Sequence, residues 1–277
     1  MSYAPGTVLP GPHAKGMGTT ARSDAWWAAP LGFFLLLAGF VVYSTWAAFQ
    51  GAHYWVPGTN YISPFYSPEL WGTSPHAWFG ATPPFWPLAI LQYSPALLIL
   101  GIPAGFRLTC YYYRKVYYRA FWADPTACAV GEPRNDYWGE NYLPLILWNA
   151  HRFVLYLAII FTCILGYDAV KSFVFVAKDG GHGIGIGIGS LILSANTVLL
   201  MGYTLGCHSF RHLVGGRCDS FGAKGSTTHS MWSAVTWLNE RHPFFAMISL
   251  CWVAASDVYV RVLSISGWHD HVILFRF

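Results

Sequence analysis

Five stretches of the chain stay apolar for long enough to cross a bilayer, which takes about 20 mainly hydrophobic residues in helical form. They cover residues 26–49, 85–106, 143–167, 184–212 and 243–263. The first two hold no formal charge, the third carries His151 and Arg152 near its start, and the fifth holds Asp257 and Arg261 one turn apart. Pro95 and Pro103 in the second stretch remove backbone donors, so kinks are expected there. The fourth opens with GHGIGIGIGS, whose alternation has the period of a strand. A lone strand cannot satisfy its backbone groups in lipid, so the segment is expected to be a close-packing helix start or an entry loop. The fold class that follows is all-α, an integral membrane bundle of about five transmembrane helices over residues 25–277. A flexible Gly/Pro/Thr-rich tail, residues 1–24, precedes it.

Composition strengthens this reading. The 277 residues are 55% hydrophobic and 10% charged, whereas soluble domains are roughly 25% charged. So few charges cannot cover a water-facing surface. Aromatic residues make up 18%, with 14 Trp, and they gather at the ends of the apolar stretches, where amphipathic rings favour the membrane boundary. No small-residue cleavage site follows the first stretch, which is therefore expected to be retained as a helix. The net charge of +4 is scattered through loops, which argues against nucleic acid as a partner.

With five spans, the tail and the loops 107–152 and 211–241 fall on one side and hold 12 Lys or Arg, against 4 on the other. The positive-inside rule makes the tail cytoplasmic and the location the cell inner (cytoplasmic) membrane.

That topology gathers metal-capable side chains at one face: Cys110, Cys128, His151, Cys207, His208 and His212. His208 and His212 are four apart, so on a helix their rings project from one face and suit a shared metal. Two thiolates from Cys110, Cys128 or Cys207 would complete a Cys2His2 set. Such a set suits zinc, and it is also the ligand inventory of a Rieske-type [2Fe-2S] cluster, which a membrane-edge position favours. The plainer reading of the His pair is a polar helix face meeting water. Haem b is the competing cofactor, since His151, His208, His212 and His242 come from different helices; the first two spans, however, hold no His, and His53 and His76 sit in the outer loop. Cys163, Cys218 and Cys251 read as packing or surface thiols. His151, Trp237 and His242 are candidate quinone contacts, with Asn239 and Arg241 nearby at the mouth of the fifth span. Asp257 and Arg261 are expected to pair in a structural role.

The basic, aromatic loop from Arg107 onward is expected to be an interfacial anchor helix, a docking face for a soluble partner, or both. Nothing in the chain has the form of a phosphate loop, a helix-borne HExxH or a Ser-His-Asp set, and no inverted repeat points to a transporter. A transporter or a structural anchor without a redox centre is the remaining alternative.

The segments SPFYSPELWG, SPHAWFG, FRLTCYYYRKVYYRAFWADPTACAVGEP, GYTLGCHSFRHLVGGR, WLNERH and SDVYVR resemble the membrane-anchor subunit of succinate dehydrogenase (succinate:quinone oxidoreductase, respiratory complex II) of the actinobacterial type. The resemblance runs from about Asn60 to Trp268. It implies a five-helix anchor bound to an iron-sulfur subunit and, through it, to a flavoprotein subunit that oxidises succinate, so that this chain alone would not do so. It also implies electron transfer to quinone through a membrane-embedded Rieske-type cluster. Cys110, Cys128, Cys207, His208 and His212 stand in the matching motifs, four of them as expected ligands, and His151 stands in the matching WNAHR segment. Cys218 falls outside the family pattern.

Overall fold

The computed structural model describes residues 16–84, 93–134, 139–176, 182–215 and 226–275. Its helices are α1 (Ala28–Gln50), α2 (Ala96–Ile99), α3 (Gly101–Thr109), α4 (Tyr111–Trp122), α5 (His151–Lys171), α6 (Ile188–Leu205), α7 (His208–Gly215), α8 (Thr227–Glu240) and α9 (His242–Ser266). Three short strands join them: β1 (Val174–Val176), β2 (His182–Gly187) and β3 (Val272–Phe275). Among the described residues four helical stretches are long and apolar enough to cross a membrane, at 28–50, 145–171, 188–205 and 242–266. A fifth appears when Ala96–Thr109 and Tyr111–Trp122 are counted as one broken span. The first eight residues of the expected second span lie outside the described residues, as does Cys218. Large apolar side chains such as Leu35, Val42, Phe153, Ile160 and Val170 stand exposed along these helices, the surface that a lipid solvent requires.

The chain divides into two compact units. The first takes in residues 1–41 and 108–149. Within it α4 buries Tyr113, Val116 and Tyr118. Glu140 holds this helix, pairing with Arg114 at 3.0 Å and accepting from the Tyr118 hydroxyl at 3.1 Å. The described part of the tail is strapped to the loop that carries Cys128: the Gly18 N–H donates to the Gly131 carbonyl at 3.0 Å, the Gly131 N–H donates to the Thr19 carbonyl at 2.8 Å, and Arg22 donates to the Cys128 carbonyl at 2.9 Å.

The second unit takes in residues 42–107 and 150–277. Its centre is α6, packed against both α5 and α9. Small residues make that approach possible, since a Cβ on Gly202 would lie 2.5 Å from the Phe245 ring. At one end Tyr61, Phe175, Leu193, Val260 and Leu263 form a core cluster.

The sequence reading needs three corrections of detail. First, β2 is a strand, the middle member of an antiparallel sheet in the order β1-β2-β3. It does not stand alone, because residues 174–176 and 272–275 supply the backbone partners that lipid would deny. Glycines at its end and at the start of α6 give close approach: a Cβ on Gly187 would lie 2.1 Å from the Tyr61 hydroxyl, and one on Gly189 2.4 Å from the Tyr61 ring. Second, the expected fourth span is not one helix. It ends at Leu205, capped by Gly206, whose carbonyl accepts from the Asn239 amide at 2.8 Å, and α7 begins at His208. Third, the sharp bend of the second span, 80°, falls at Cys110 between Ala96–Thr109 and Tyr111–Trp122, beyond the expected end at Phe106. The slighter interruption at Leu100 agrees with the expected proline kink, because Pro103 has no N–H for the Ile99 carbonyl.

Candidate functional site

His208 and His212 both lie on α7, one turn apart, with ring centroids 5.0 Å from each other. Both side chains are exposed. Partial burial, then the neighbouring His212 and Arg211, push the His208 pKa below its ordinary value. A neutral imidazole is the form that ligates a metal. Directly before α7 the Cys207 thiol is buried, and its Sγ accepts from the Phe210 backbone N–H at 3.2 Å.

Cys110 is a buried residue between α3 and α4, and Cys128 an exposed one in the following loop. These two cysteines belong to the first unit, whereas Cys207, His208 and His212 belong to the second. Among the described residues no group of three or more His, Cys, Asp or Glu side chains is close enough to hold a metal ion. The fit to a four-ligand cluster is therefore partial. Within the second unit two imidazoles stand as a pair, with the Cys207 thiol directly before them in the chain.

A second assembly lies wholly within the second unit. His151, the first residue of α5, stacks on Phe106 of α3 with centroids 4.6 Å apart. Phe106 meets the edge of Tyr203 on α6 at 5.4 Å, and Tyr203 stacks on His242 of α9 at 5.0 Å. The Arg107 guanidinium lies 4.8 Å above the Tyr203 ring. It is held there by donating to the Ala246 carbonyl at 3.2 Å and to Ser249 Oγ at 3.1 Å. Four helices thus contribute to one run of rings with a cation on its face.

Residues 28–266 match the family described as Actinobacterial succinate dehydrogenase subunit SdhC. The chain belongs to this family. Among solved structures it is similar to the Mycobacterium smegmatis Sdh1 complex in the apo form, at 40% identity, covering 97% of this chain and 99% of that chain with a TM-score of 0.81. No curated protein matches it. As a member of the SdhC family the chain is a membrane subunit of a succinate dehydrogenase complex, and the other subunits of that complex are its partners.

Within the second unit the sequence-predicted residues fall into three places. His208 and His212 share α7, with Cys207 at its start. His151 and His242 share the ring assembly, joined through Phe106 and Tyr203. Trp237 is not part of that run; it stands exposed on α8 with the Arg241 guanidinium 4.2 Å from its ring. Sequence reasoning missed Phe106, Arg107 and Tyr203. The available signal was Arg107, a charge directly against an apolar span, where ionisable groups are costly and tend to serve function.

Proposed function

We propose that this chain passes electrons from the iron-sulfur subunit of succinate dehydrogenase to quinone, with the quinone headgroup received at the run of rings between His151 and His242. The flavoprotein subunit oxidises succinate, and this chain supplies the membrane end of the relay. The observation that carries the reading is the Tyr203–His242 stack with the Arg107 cation on its face, since Tyr203 lies in the same stretch of chain, four to nine residues before the Cys207, His208 and His212 donors. Aromatic faces suit a flat quinone ring, while imidazole N–H groups suit its carbonyl oxygens. A fixed guanidinium favours the negative charge that a quinone oxygen gains on reduction.

The electron carrier proposed is a Rieske-type [2Fe-2S] cluster held by four of Cys110, Cys128, Cys207, His208 and His212. When bound, such a cluster supplies one-electron carriage at a potential raised by its imidazole ligands. The chain's own contribution is the donor set: His208, whose pKa burial and its neighbours hold down, and Cys207, whose Sγ accepts from the Phe210 N–H. The surplus of Lys and Arg in the tail and in the loops 107–152 and 211–241 supports a cytoplasmic N-terminus in the inner membrane.

Replacing His208 and His212 together by Ala in the whole complex tests the proposal. Quinone reduction should vanish while succinate oxidation with an artificial acceptor persists, and a Rieske-like electron paramagnetic resonance signal should disappear from the variant. Intact quinone reduction in that variant would defeat the reading, and a succinate-reducible Soret band would replace the cluster with haem b.

A further inference from the structure

Far from His151, the last turn of α5 borders a polar cavity of about 190 Å³. His76, Glu69, Asp168 and Lys171 line it, together with Trp78 and Tyr167. Trp78 and Tyr167 also line a larger groove of about 590 Å³, whose remaining walls are Ile159, Ile160, Cys163 and Ile164 of α5. The two spaces therefore share a wall, one polar and one apolar. They meet at a Trp and a Tyr, the residues that mark the boundary between hydrocarbon and headgroups.

The lining differs in how far its polar groups are already engaged. Glu69 accepts from the Tyr54 hydroxyl at 2.8 Å and from Ser74, so its carboxylate is satisfied internally. Asp168, which also lines the cavity, accepts from the Ser67 hydroxyl through Oδ2, and its second carboxyl oxygen is a further acceptor. His76 Nε2 is buried with no hydrogen-bond partner among the described residues. Lys171 brings an ammonium, 6.0 Å from the Tyr167 ring. A ligand that completes this set carries a hydrocarbon chain, a cationic donor for Asp168, and an anionic acceptor for Lys171 and His76.

We propose that the cavity and groove together form a binding site for a phospholipid with a zwitterionic ethanolamine headgroup. Its ammonium donates to Asp168, its phosphate accepts from Lys171 and from His76 Nε2–H, and one acyl chain lies along Ile159, Ile160, Cys163 and Ile164. A choline head has no N–H to give Asp168, and a glycerol head brings no cation to a lining that already holds two carboxylates. Quinone carbonyls only accept hydrogen bonds, which leaves Asp168 without a donor. The site is also remote from the proposed electron path, since Asp168 lies 17 residues beyond His151 along α5, or about 25 Å at 1.5 Å per residue.

The test uses the whole succinate dehydrogenase complex containing this chain, reconstituted in phosphatidylcholine vesicles. These are doped in turn with acyl-chain photo-crosslinking probes of phosphatidylethanolamine, phosphatidylcholine and phosphatidylglycerol at equal mole fraction. Mapping by mass spectrometry should place the ethanolamine probe on residues 159–167, favoured over the other two by about fivefold, equivalent to about 1 kcal/mol. Asp168→Asn should bring that ratio close to one, while Lys171→Gln should lower labelling by all three probes. Equal labelling of the wild-type complex by the three probes, no labelling of 159–167, or displacement of the label by added quinone would each overturn the proposal. The wild-type ratio decides the matter even where a variant fails to fold.

Discussion

The two ends of α9 solve the problem of polar groups in a membrane helix in opposite ways. Around Asp257 everything is closed by hydrogen bonds. Its carboxylate accepts from Tyr43 and from Arg261, each at 2.6 Å, and from Ser63. Arg261 then spends its remaining nitrogens on the carbonyls of Ala52 and Ala47, at 3.0 Å each. Both charges are fully or almost fully buried. Around His242, at the other end, the groups meet through ring faces, and one guanidinium rests on Tyr203. A saturated network has no capacity left for a substrate, so it holds the fold. Stacked rings can part and admit another flat ring at modest cost, which is what a site for quinone needs.

This contrast yields four tests in decreasing order of effect. Asp257→Ala leaves the Arg261 charge buried without its counter-ion and should cost about 3–5 kcal/mol in stability. Unfolding of the complex in detergent measures this, and a loss under about 1 kcal/mol would show the network to be dispensable. Gly187→Ala forces a methyl group toward the Tyr61 hydroxyl and should cost about 1–3 kcal/mol. The control for that substitution is Gly39→Ala on α1, where a Cβ meets nothing within 4 Å and no loss is expected.

Tyr203→Leu is the reciprocal test at the His242 end. Removing the ring beneath Arg107 should lower quinone reduction about tenfold, equivalent to about 1.4 kcal/mol. Succinate oxidation with an artificial acceptor should stay unchanged; an equal fall in both activities would assign the stack to folding instead.

The smallest effect concerns His76. Burial first, and Lys171 second, hold its pKa down to about 4. The ring is neutral in the folded state, while in the unfolded chain it takes a proton below about pH 6.5. Its contribution to stability should therefore be intact above about 6.5 and fall as pH drops toward 4, because the unfolded state binds the extra proton. Lys171→Gln should raise the His76 pKa only part of the way, since burial remains. A histidine NMR titration of the variant reads this directly, and a return to the ordinary value would make Lys171 the main cause.

Much of the bundle was legible because lipid leaves the sequence little choice. The apolar stretches at 26–49 and 243–263 match α1 and α9 to within a few residues, and the pairing of Asp257 with Arg261 followed from their four-residue spacing. The strand β2 was misread for a reason of range. Its alternating Gly and Ile show the right period, yet its partner β3 begins 85 residues further on, and no local pattern announces that pairing. The ring assembly was legible only in part. His151 and His242 stood out as ionisable groups at span ends, whereas Phe106 and Tyr203 resemble any aromatic residue of an apolar helix.

The amino-acid sequence by itself determined that this chain has helices fit to cross a membrane, where the first and last of them lie, and that it belongs with succinate dehydrogenase anchors. Hydrophobic length and long motifs are properties of the chain in one dimension. Only the tertiary structure decided that residues of α3, α5, α6 and α9 line up as stacked rings, and that Gly187 and Gly189 make room for Tyr61. Those contacts depend on how closely helices and strands approach one another, and the distance between backbones is set by packing across the whole unit rather than by any single segment.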